Sequence, residues 1–359
     1  MTMLAETVDA VIGVDTHRDS LALAVVDAAT GRVMAETEVA ADGQGYLAAR
    51  SWAALLAPGR RAWAVEGTGS YGAGLASSLA DDGEQVFEID RVTRKRKTGK
   101  TDAVDAVRAA REALARDQLP PVPRQRGRRE AIRVTLTSRE GAITARSAAH
   151  NQLAALVVTA AEPIRALLRG RTGKKLLQAV ADLPTPHFAA GELATLEARV
   201  CIRALQQTNT RIAFLTEEID DYDRTLDELL AGHPLLLEPG IGPISAARIL
   251  ISWSHAGRFG SDAAFARHAG VAPLPASSGR TIRHRLSRLG DRQLNRALHT
   301  IADNRMAYDP ATRDYVARRL AEGKSIPEIR RCLKRAIARQ LYRLLNHHDQ
   351  PQADARHAA

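Results

Sequence analysis

Two aspartates three residues apart, Asp102 and Asp105, have the spacing that most directly suggests chemistry. They lie in the stretch KTDAVDA at residues 100–106, which reads as the first turn of a helix. Side chains at positions i and i+3 share a helix face, with Cβ atoms about 5–6 Å apart. Carboxylates this close repel, so they need a proton, an arginine or a metal ion between them. A helix that merely exposes acids in its first turn is the simpler alternative.

Two acids upstream extend this pattern. Asp15 and Glu66 each end a short apolar run that reads as a strand. Because sites in open α/β sheets form beyond the carboxyl ends of strands, all four carboxylates are expected to converge there. Such oxygen donors suit Mg²⁺. Two ions about 3.5–4 Å apart can stabilise the entering and leaving oxygens of a phosphoryl transfer.

Strands and helices that would position these acids follow from the apolar pattern. Strands are predicted near 8–15, 21–27, 33–39, 62–66 and 85–89, with helices at 46–56 and 71–79. Three hairpin-like strands followed by alternating helix and strand predict an α/β domain. His17 and Asp19 lie close enough in sequence to contribute to the site, but a surface turn is the preferred assignment for them. The glycines of residues 66–69 leave open an alternative, a loop that holds a phosphate at a helix start.

A helical middle region follows the proline-rich break at 120–123. Helices are predicted over about 130–168 and 192–230. The second carries apolar residues at heptad spacing, with Thr208 filling one gap: Leu205, Ile212, Leu215, Ile219, Tyr222, Leu226 and Leu229. This spacing predicts either a coiled coil between protomers or a helical hairpin that packs on residues 132–168.

The C-terminal region contains two candidate nucleic-acid contacts. Residues 237–247 have the form of a helix-hairpin-helix, in which Gly240 and Gly242 allow a tight turn and backbone N–H groups hold a DNA phosphate. Further on, the proline- and glycine-containing stretch at 270–281 predicts a loop, which is expected to expose Ser277 and Ser278.

Several arginines follow this loop, namely Arg280, Arg283 and Arg285, and then Arg292 on the next predicted helix. A serine beside them can attack a phosphodiester once a base or metal activates it. A polar loop next to a DNA-binding arginine cluster is the alternative. The last predicted helix carries basic residues at spacings of three to four: Arg331, Lys334, Arg335 and Arg339. They could form a solvated face or a face that follows a phosphate backbone.

Charge and composition narrow the class of protein. The formal net charge is +10, and 17 basic against 6 acidic residues lie between Arg280 and Arg343. A basic face confined to one region favours a nucleic-acid partner. The two cysteines, Cys201 and Cys332, form no CxxC metal motif and suit a reducing cytoplasm. No apolar run reaches the length that spans a bilayer, and the N-terminus lacks the layout of a signal peptide, so no membrane partner is expected.

Taken in order, the strand-Asp, strand-Glu and helix Asp-x-x-Asp elements resemble a ribonuclease-H-like, RuvC-type nuclease core. More closely, GVDTH at 13–17, EGTGSYG at 66–72 and KTDAVDA at 100–106 resemble the DEDD motifs of an insertion-sequence transposase family. Its members are described as bridge-RNA-guided DNA recombinases. Ser-Gly followed by basic residues and GDRQLN at 290–295 resembles the family's second domain, which carries a nucleophilic serine. Ser278 aligns with that serine and Ser277 is the fallback; Arg280 stands where the family often has another glycine.

This resemblance implies a three-part architecture. A ribonuclease-H-like (RuvC-type) α/β domain would occupy residues 1–119, and a helical coiled-coil insertion residues 120–231. An all-α helix-hairpin-helix serine transposase domain would occupy residues 232–346, followed by a polar tail at 347–359.

The implied function is a bacterial, cytoplasmic and nucleoid-associated recombinase. Ser278 would form a covalent link to DNA, while Asp15, Glu66, Asp102 and Asp105 would bind Mg²⁺. A structured bridge RNA would pair with donor and target DNA, and the protein would act as a dimer or tetramer. Two alternatives remain: a Mg²⁺-dependent, RuvC-like junction nuclease in which water attacks, and a non-catalytic nucleic-acid-binding protein.

Overall fold

The computed structural model describes residues 3–89, 102–116, 119, 127–184, 193–275, 284–285 and 290–357. The chain divides into two compact units. One comprises Met1–Gly127 with Ser254–Gly260, and the other Arg128–Trp253 with Ser261–Ala359. Across these described ranges, no helix combines the length and apolar character that crossing a membrane would require. The predicted domain boundaries at residues 119, 231 and 346 remain predictions.

A five-stranded mixed sheet forms the first unit. Its elements in chain order are α1 (Leu4–Thr7), β1 (Ala10–Thr16), β2 (Ser20–Asp27), β3 (Val33–Ala40), α2 (Gly43–Leu56), β4 (Arg61–Glu66), α3 (Ala73–Asp81), β5 (Gln85–Ile89) and α4 (Asp102–Ala115). The strand order is β3-β2-β1-β4-β5. β1 runs antiparallel to β2 and parallel to β4, and β5 runs parallel to β4. All five predicted strands are present, and this order is compatible with a ribonuclease-H-like α/β domain.

Burial along the strands follows their place in the sheet. The central strands β1 and β4 are buried almost throughout, because helices cover both faces of the sheet. Edge strand β3 instead alternates half-buried and exposed residues. One face packs against α4 through the alanines of that helix, and the other packs against α2 and α3. The core is therefore built largely from small and branched aliphatic side chains.

Most of the second unit is helical. It contains α5 (Gly127–Thr159, beginning at the boundary), α6 (Glu162–Leu168), α7 (Gly173–Ala181), α8 (Leu193–Leu230), α9 (Pro243–Trp253), α10 (Asp262–His268), the short strands β6 (Leu274–Pro275) and β7 (His284–Arg285), α11 (Arg292–Tyr308), α12 (Pro310–Ala321) and α13 (Ile326–His357). A short 3₁₀ helix, Pro234–Leu237, precedes α9.

The apolar residues at the heptad positions of α8 pack against helices of the same chain. Leu205 and Ile212 are buried in a cluster with residues of α5 and α7, and Leu215 and Ile219 pack on Ala142 of α5. The ion pair between Arg139 and Asp223 and the contact between Arg146 and Thr216 show that α5 and α8 run antiparallel. Thus the intramolecular helical hairpin, which the sequence left open, accounts for this apolar stripe.

Polar contacts join the long hairpin to the C-terminal helices of the same unit. Glu140 of α5 accepts hydrogen bonds from Arg248 of α9 at 2.7 Å and from Gln293 of α11 at 3.1 Å. Lys334 of α13 is buried, and its Nζ donates to Asn295 Oδ1 at 2.6 Å. Lys334 therefore does not belong to the exposed basic face that the spacing of this helix suggested.

Asp291 caps α11 and joins three segments of the second unit. Its Oδ1 accepts N–H bonds from Gln293 at 2.8 Å and Leu294 at 3.0 Å, and its Oδ2 accepts the hydroxyl of Ser252. Burial alone would raise the pKa of this carboxyl, but hydrogen bonds from His268, Ser252 and Leu294 and the charge of His268 bring the pKa below its ordinary value of 3.8. Asp291 is thus stabilised as the anion.

Replacing Asp291 by alanine is expected to destabilise the second unit more than removing the cap alone, which costs about 1–2 kcal/mol. Because the pKa is lower in the folded state, the stability that Asp291 contributes is present above pH 4 and is lost as pH falls further. Calorimetric unfolding between pH 7 and 2.5 measures both effects. Asp309→Ala is the matched control, since the half-buried Asp309 caps α12 by accepting the N–H of Thr312 at 2.9 Å. Equal losses in the two variants would contradict the special role of Asp291.

Candidate metal centre

The centre is built at the carboxyl end of β1. Asp15 is the last buried residue of that strand, and Val14 pairs with Val65 of the parallel strand β4. One residue further along, Asp15 and Glu66 therefore lie side by side. Side chains alternate along a strand, so both point to the face covered by α4. The fold consequently brings Asp15, Glu66 and the first turn of α4 to the same edge of the sheet.

His17 occupies the middle of this cluster. Its Nε2 lies 3.3 Å from Asp15 Oδ2 and 3.2 Å from Asp102 Oδ1. The ring is partly exposed, yet Nε2 itself is inaccessible to solvent, and its contacts with the two carboxylates lack hydrogen-bond geometry. One atom from each of these three side chains lies within 4.8 Å of the others. Of the described residues, only this set forms such a group of three metal-ligating side chains.

The groups around Asp15 leave part of the negative charge of the cluster without a positive partner. Burial raises the pKa of Asp15; His17 opposes this effect, and the negative charges of Asp105 and Asp102 raise the pKa further. A carboxylate surrounded in this way favours a positive partner. The arrangement thus supplies both the donor atoms and the excess negative charge that a cation requires.

Asp105 and Glu66 lie beside this group of three. Asp105 accepts a hydrogen bond from Arg108 Nη1 at 2.5 Å, and its charge reaches Asp15. Glu66 is half-buried, and its backbone carbonyl accepts the hydroxyl of Thr16 at 3.0 Å. Its carboxylate lies outside the group of three ligand atoms. The structure therefore brings Asp15 and Asp102 together with His17 and places the other two predicted acids nearby.

Donor chemistry and spacing fit a divalent cation. Ligands about 2.1 Å from an octahedral ion, at right angles to each other, are separated by about 3 Å. The distances from His17 Nε2 to the two carboxylates have this size. Asp15, Asp102 and His17 would hold the ion, and Asp105 and Glu66 are near enough in the fold to add charge or further oxygens.

The glycine turn after β4 has a conformational role. Gly67 has a φ of +66°, which favours glycine, and its carbonyl accepts the N–H groups of Ser70 at 2.8 Å and Gly72 at 3.1 Å. Ala73 N–H donates to Ser70 O at 3.1 Å. Since a phosphate loop needs free N–H groups, these internal bonds weigh against the phosphate-binding alternative for this turn.

Gly240 and Gly242 lie in the turn between the 3₁₀ helix and α9. Gly240 has a φ of +76°, and a side chain there would meet Arg305 and Ile301 of α11. Arg305 Nε donates to Pro239 O at 2.8 Å, and Asn304 Nδ2 to Gly240 O at 3.3 Å. Helix α11 therefore fixes the carbonyl side of this predicted phosphate-binding turn.

The predicted nucleophile, Ser278, and its fallback, Ser277, lie outside the described residues, as do Arg280 and Arg283. Arg285 forms part of β7, which pairs with β6, with Leu274 opposite Arg285. Arg292 begins α11 and is exposed.

His17 belongs to the cluster, although the sequence prediction preferred a surface turn for this residue. Alternation along an extended strand could have revealed it, since residues 15 and 17 point to the same side. His17 N–H donates to Ser20 O at 3.0 Å, which closes the turn between β1 and β2 and keeps the ring beside Asp15.

Comparison with known proteins identifies the class. Residues 12–161, which include all four predicted acids, match the sequence model of DEDD transposases of the IS110 type. Residues 233–317 match the Transposase IS116/IS110/IS902 family. The sheet order and the acid cluster agree with the first of these matches. The class of protein to which the chain belongs is therefore that of the DEDD transposases.

The chain belongs to the IS110 family of these transposases. One similar protein is an insertion element IS110 uncharacterized 43.6 kDa protein of Streptomyces coelicolor, 38% identical over 105 residues. That alignment covers 28% of this chain and 26% of the relative. Membership of a DEDD family implies use of a divalent metal, in agreement with the cluster at Asp15.

Proposed function

We propose that this protein is a DNA transposase that cuts and rejoins donor and target DNA through a serine-linked intermediate, with Mg²⁺ bound by its DEDD acids. The observation that carries this proposal is the convergence of Asp15, His17 and Asp102 at the end of β1. Asp105 and Glu66 are the further acids of the proposed centre. Family membership supports the reaction class.

Metal ions at such a site would supply charge stabilisation for phosphate oxygens that become more negative during transfer. The chain's own residues have separate tasks in this proposal. Asp15 and Asp102 would hold the positive charge at one edge of the sheet, and the packing of α4 on the sheet keeps their spacing constant. Such preorganisation avoids rearrangement during the reaction.

Ser278 is the proposed nucleophile. Its Oγ attacks a phosphodiester phosphorus, an Oγ–P bond forms, and the P–O bond to one deoxyribose breaks. The proton of the serine hydroxyl passes to the released deoxyribose oxygen, which thereby becomes a hydroxyl. Attack by the hydroxyl of another strand reverses these steps, so each bond broken is replaced by a similar one. Arg280, Arg283 and Arg285 would neutralise the phosphate during both transfers.

Nucleic-acid binding is assigned to the C-terminal region. Its excess of basic residues between Arg280 and Arg343 supports phosphate contacts. The turn at Gly240 and Gly242 would hold a backbone phosphate, and exposed Arg292 would bind another. Such contacts position DNA without reading its sequence. We therefore assign sequence recognition to a bridge RNA and propose a dimer or tetramer as the working assembly.

Ser278→Ala is expected to abolish a covalent protein–DNA adduct. Purified protein would be incubated with its co-purifying RNA, donor and target DNA, and Mg²⁺, and then denatured and resolved by electrophoresis. Ser277→Ala should retain the adduct, and so should Ser147→Ala, which changes an exposed serine of α5. An adduct that disappears with Ser277→Ala alone would move the nucleophile by one residue.

Two other outcomes would support different functions. DNA cleavage that persists in Ser277→Ala and Ser278→Ala would favour a metal-dependent junction nuclease, in which water attacks. DNA binding without cleavage at any divalent metal would favour a non-catalytic binding protein. RNA that co-purifies but has no effect on recombination would remove the bridge RNA from the proposal.

A further inference from the structure

His17 gives the acid cluster a nitrogen donor in addition to its carboxylate oxygens. It lies between Asp15 and Asp102, on the turn that follows β1. Both carboxylates approach the same atom, Nε2, which is inaccessible to solvent, and neither of these two contacts has hydrogen-bond geometry. A polar atom in that condition costs free energy unless a ligand binds to it.

We propose that His17 coordinates the divalent cation through Nε2, which makes the centre a mixed nitrogen and oxygen site. This inference rests on the proposed cation site and adds a ligand outside the four acids. The separations of 3.3 and 3.2 Å between Nε2 and the carboxylate oxygens equal those of neighbouring ligands around one ion. A hydrogen-bonding role alone would leave both carboxylates competing for one ring nitrogen.

A nitrogen ligand changes which metal the centre prefers. Mg²⁺ prefers oxygen ligands, whereas imidazole suits transition metals. Mn²⁺ accepts carboxylate oxygens and also binds imidazole, so the centre is expected to bind Mn²⁺ more tightly than Mg²⁺. Losing His17 would reduce this difference, because a site made of carboxylates alone treats the two ions more equally.

The test uses Mn²⁺ as the probe on the full-length protein. Electron spin echo modulation of bound Mn²⁺ should show coupling to a ¹⁴N nucleus, and labelling histidine with ¹⁵N should change the coupling pattern without altering the protein. His17→Gln should remove the coupling and weaken Mn²⁺ binding by about tenfold or more. Titration calorimetry with Mn²⁺ and with Mg²⁺ measures the change in preference.

His299→Gln is the matched control. His299 is another partly exposed histidine beside a carboxylate, with Nε2 3.3 Å from Asp303 Oδ2, but it belongs to no group of three ligands in the described ranges. It should leave the nitrogen coupling and the Mn²⁺ affinity unchanged. Thermal unfolding without metal checks that both variants fold.

The outcomes separate this inference from the function on which it rests. Suppose that Asp102→Asn abolishes Mn²⁺ binding but that Mn²⁺ bound to the unsubstituted protein shows no nitrogen coupling. This result would overturn the role of His17 and leave the acid centre intact. Absence of any metal binding that depends on Asp15 and Asp102 would overturn the proposed metal centre itself. Coupling that persists in His17→Gln would assign the nitrogen to another residue and also refute the inference.

Discussion

Asp15→Asn is expected to reduce DNA strand exchange at least about a hundredfold while leaving the protein folded, because bound metal contributes several kcal/mol to phosphoryl transfer. Asp15 is the most buried acid of the cluster and is contacted by His17. An amide of the same shape retains the packing but loses the negative charge and half of the oxygen donors. Metal affinity measured by calorimetry and strand exchange on paired DNA substrates should fall together.

Stability provides the second readout for Asp15→Asn. In the absence of metal, Asp15 lies near the negative charges of Asp102 and Asp105, and burial adds a further cost to its ionised form. Removing one of these charges should therefore leave thermal stability unchanged or increase it when metal is chelated. A residue that served only the fold would show the opposite relation, with loss of activity following loss of stability.

Asp19→Asn serves as the matched control. Asp19 lies four residues away, and its exposed carboxylate contacts Arg18 at 3.4 Å. The variant removes an acid near the centre without touching the cluster, so metal affinity and activity should not change. Full strand exchange by Asp15→Asn, or by Asp102→Asn together with Asp105→Asn, would exclude the acid centre from the reaction.

The sheet was predictable because each strand has a local signal. Buried central strands have apolar runs, and the edge strand β3 alternates, so length and periodicity identify them. Placement of Asp15 and Asp102 near each other required one further rule, that sites form at the carboxyl ends of strands. Alternation was not extended past the end of β1, and for this reason a surface turn was preferred for His17.

The spacing of apolar residues along a helix does not identify the helix that packs against them. The heptad spacing of α8 indicates an apolar stripe but does not say which helix covers it. Leu205 and Ile219 pack within the chain on α5 and its neighbours, so the stripe does not need a second protomer. Lys334 illustrates a similar limit: its spacing matches a basic face, but the residue is buried and its Nζ donates to Asn295 Oδ1.

Gly13 controls the distance between β1, which carries Asp15, and α4, which carries Asp102. It lies in β1, two residues before Asp15, and faces α4. A Cβ atom built at Gly13 would lie 1.9 Å from the carbonyl oxygen of Ala106 and 2.8 Å from the backbone nitrogen of Ala110. Both atoms belong to the backbone, so truncating a side chain on α4 cannot relieve the clash.

Gly13→Ala is therefore expected to displace α4, which carries Asp102 and Asp105, from the strand that carries Asp15. Overpacking of this kind costs about 1–3 kcal/mol of folding stability. Displacing ligands by even about 1 Å is enough to reduce catalysis by roughly a hundredfold. Denaturant unfolding and Mn²⁺ titration should show a modest loss of stability together with a large loss of metal affinity.

Gly43→Ala is the control for Gly13→Ala, because Gly43 begins α2 with nothing within 4 Å of an added Cβ. It should be neutral, or stabilising by about 0.4–1 kcal/mol through the unfolded chain. The comparison separates a general effect of removing glycine from the close contact between β1 and α4. If Gly13→Ala kept full metal affinity, the acids of α4 would not depend on that contact, and the centre could not be the rigid assembly of strand and helix that its geometry indicates.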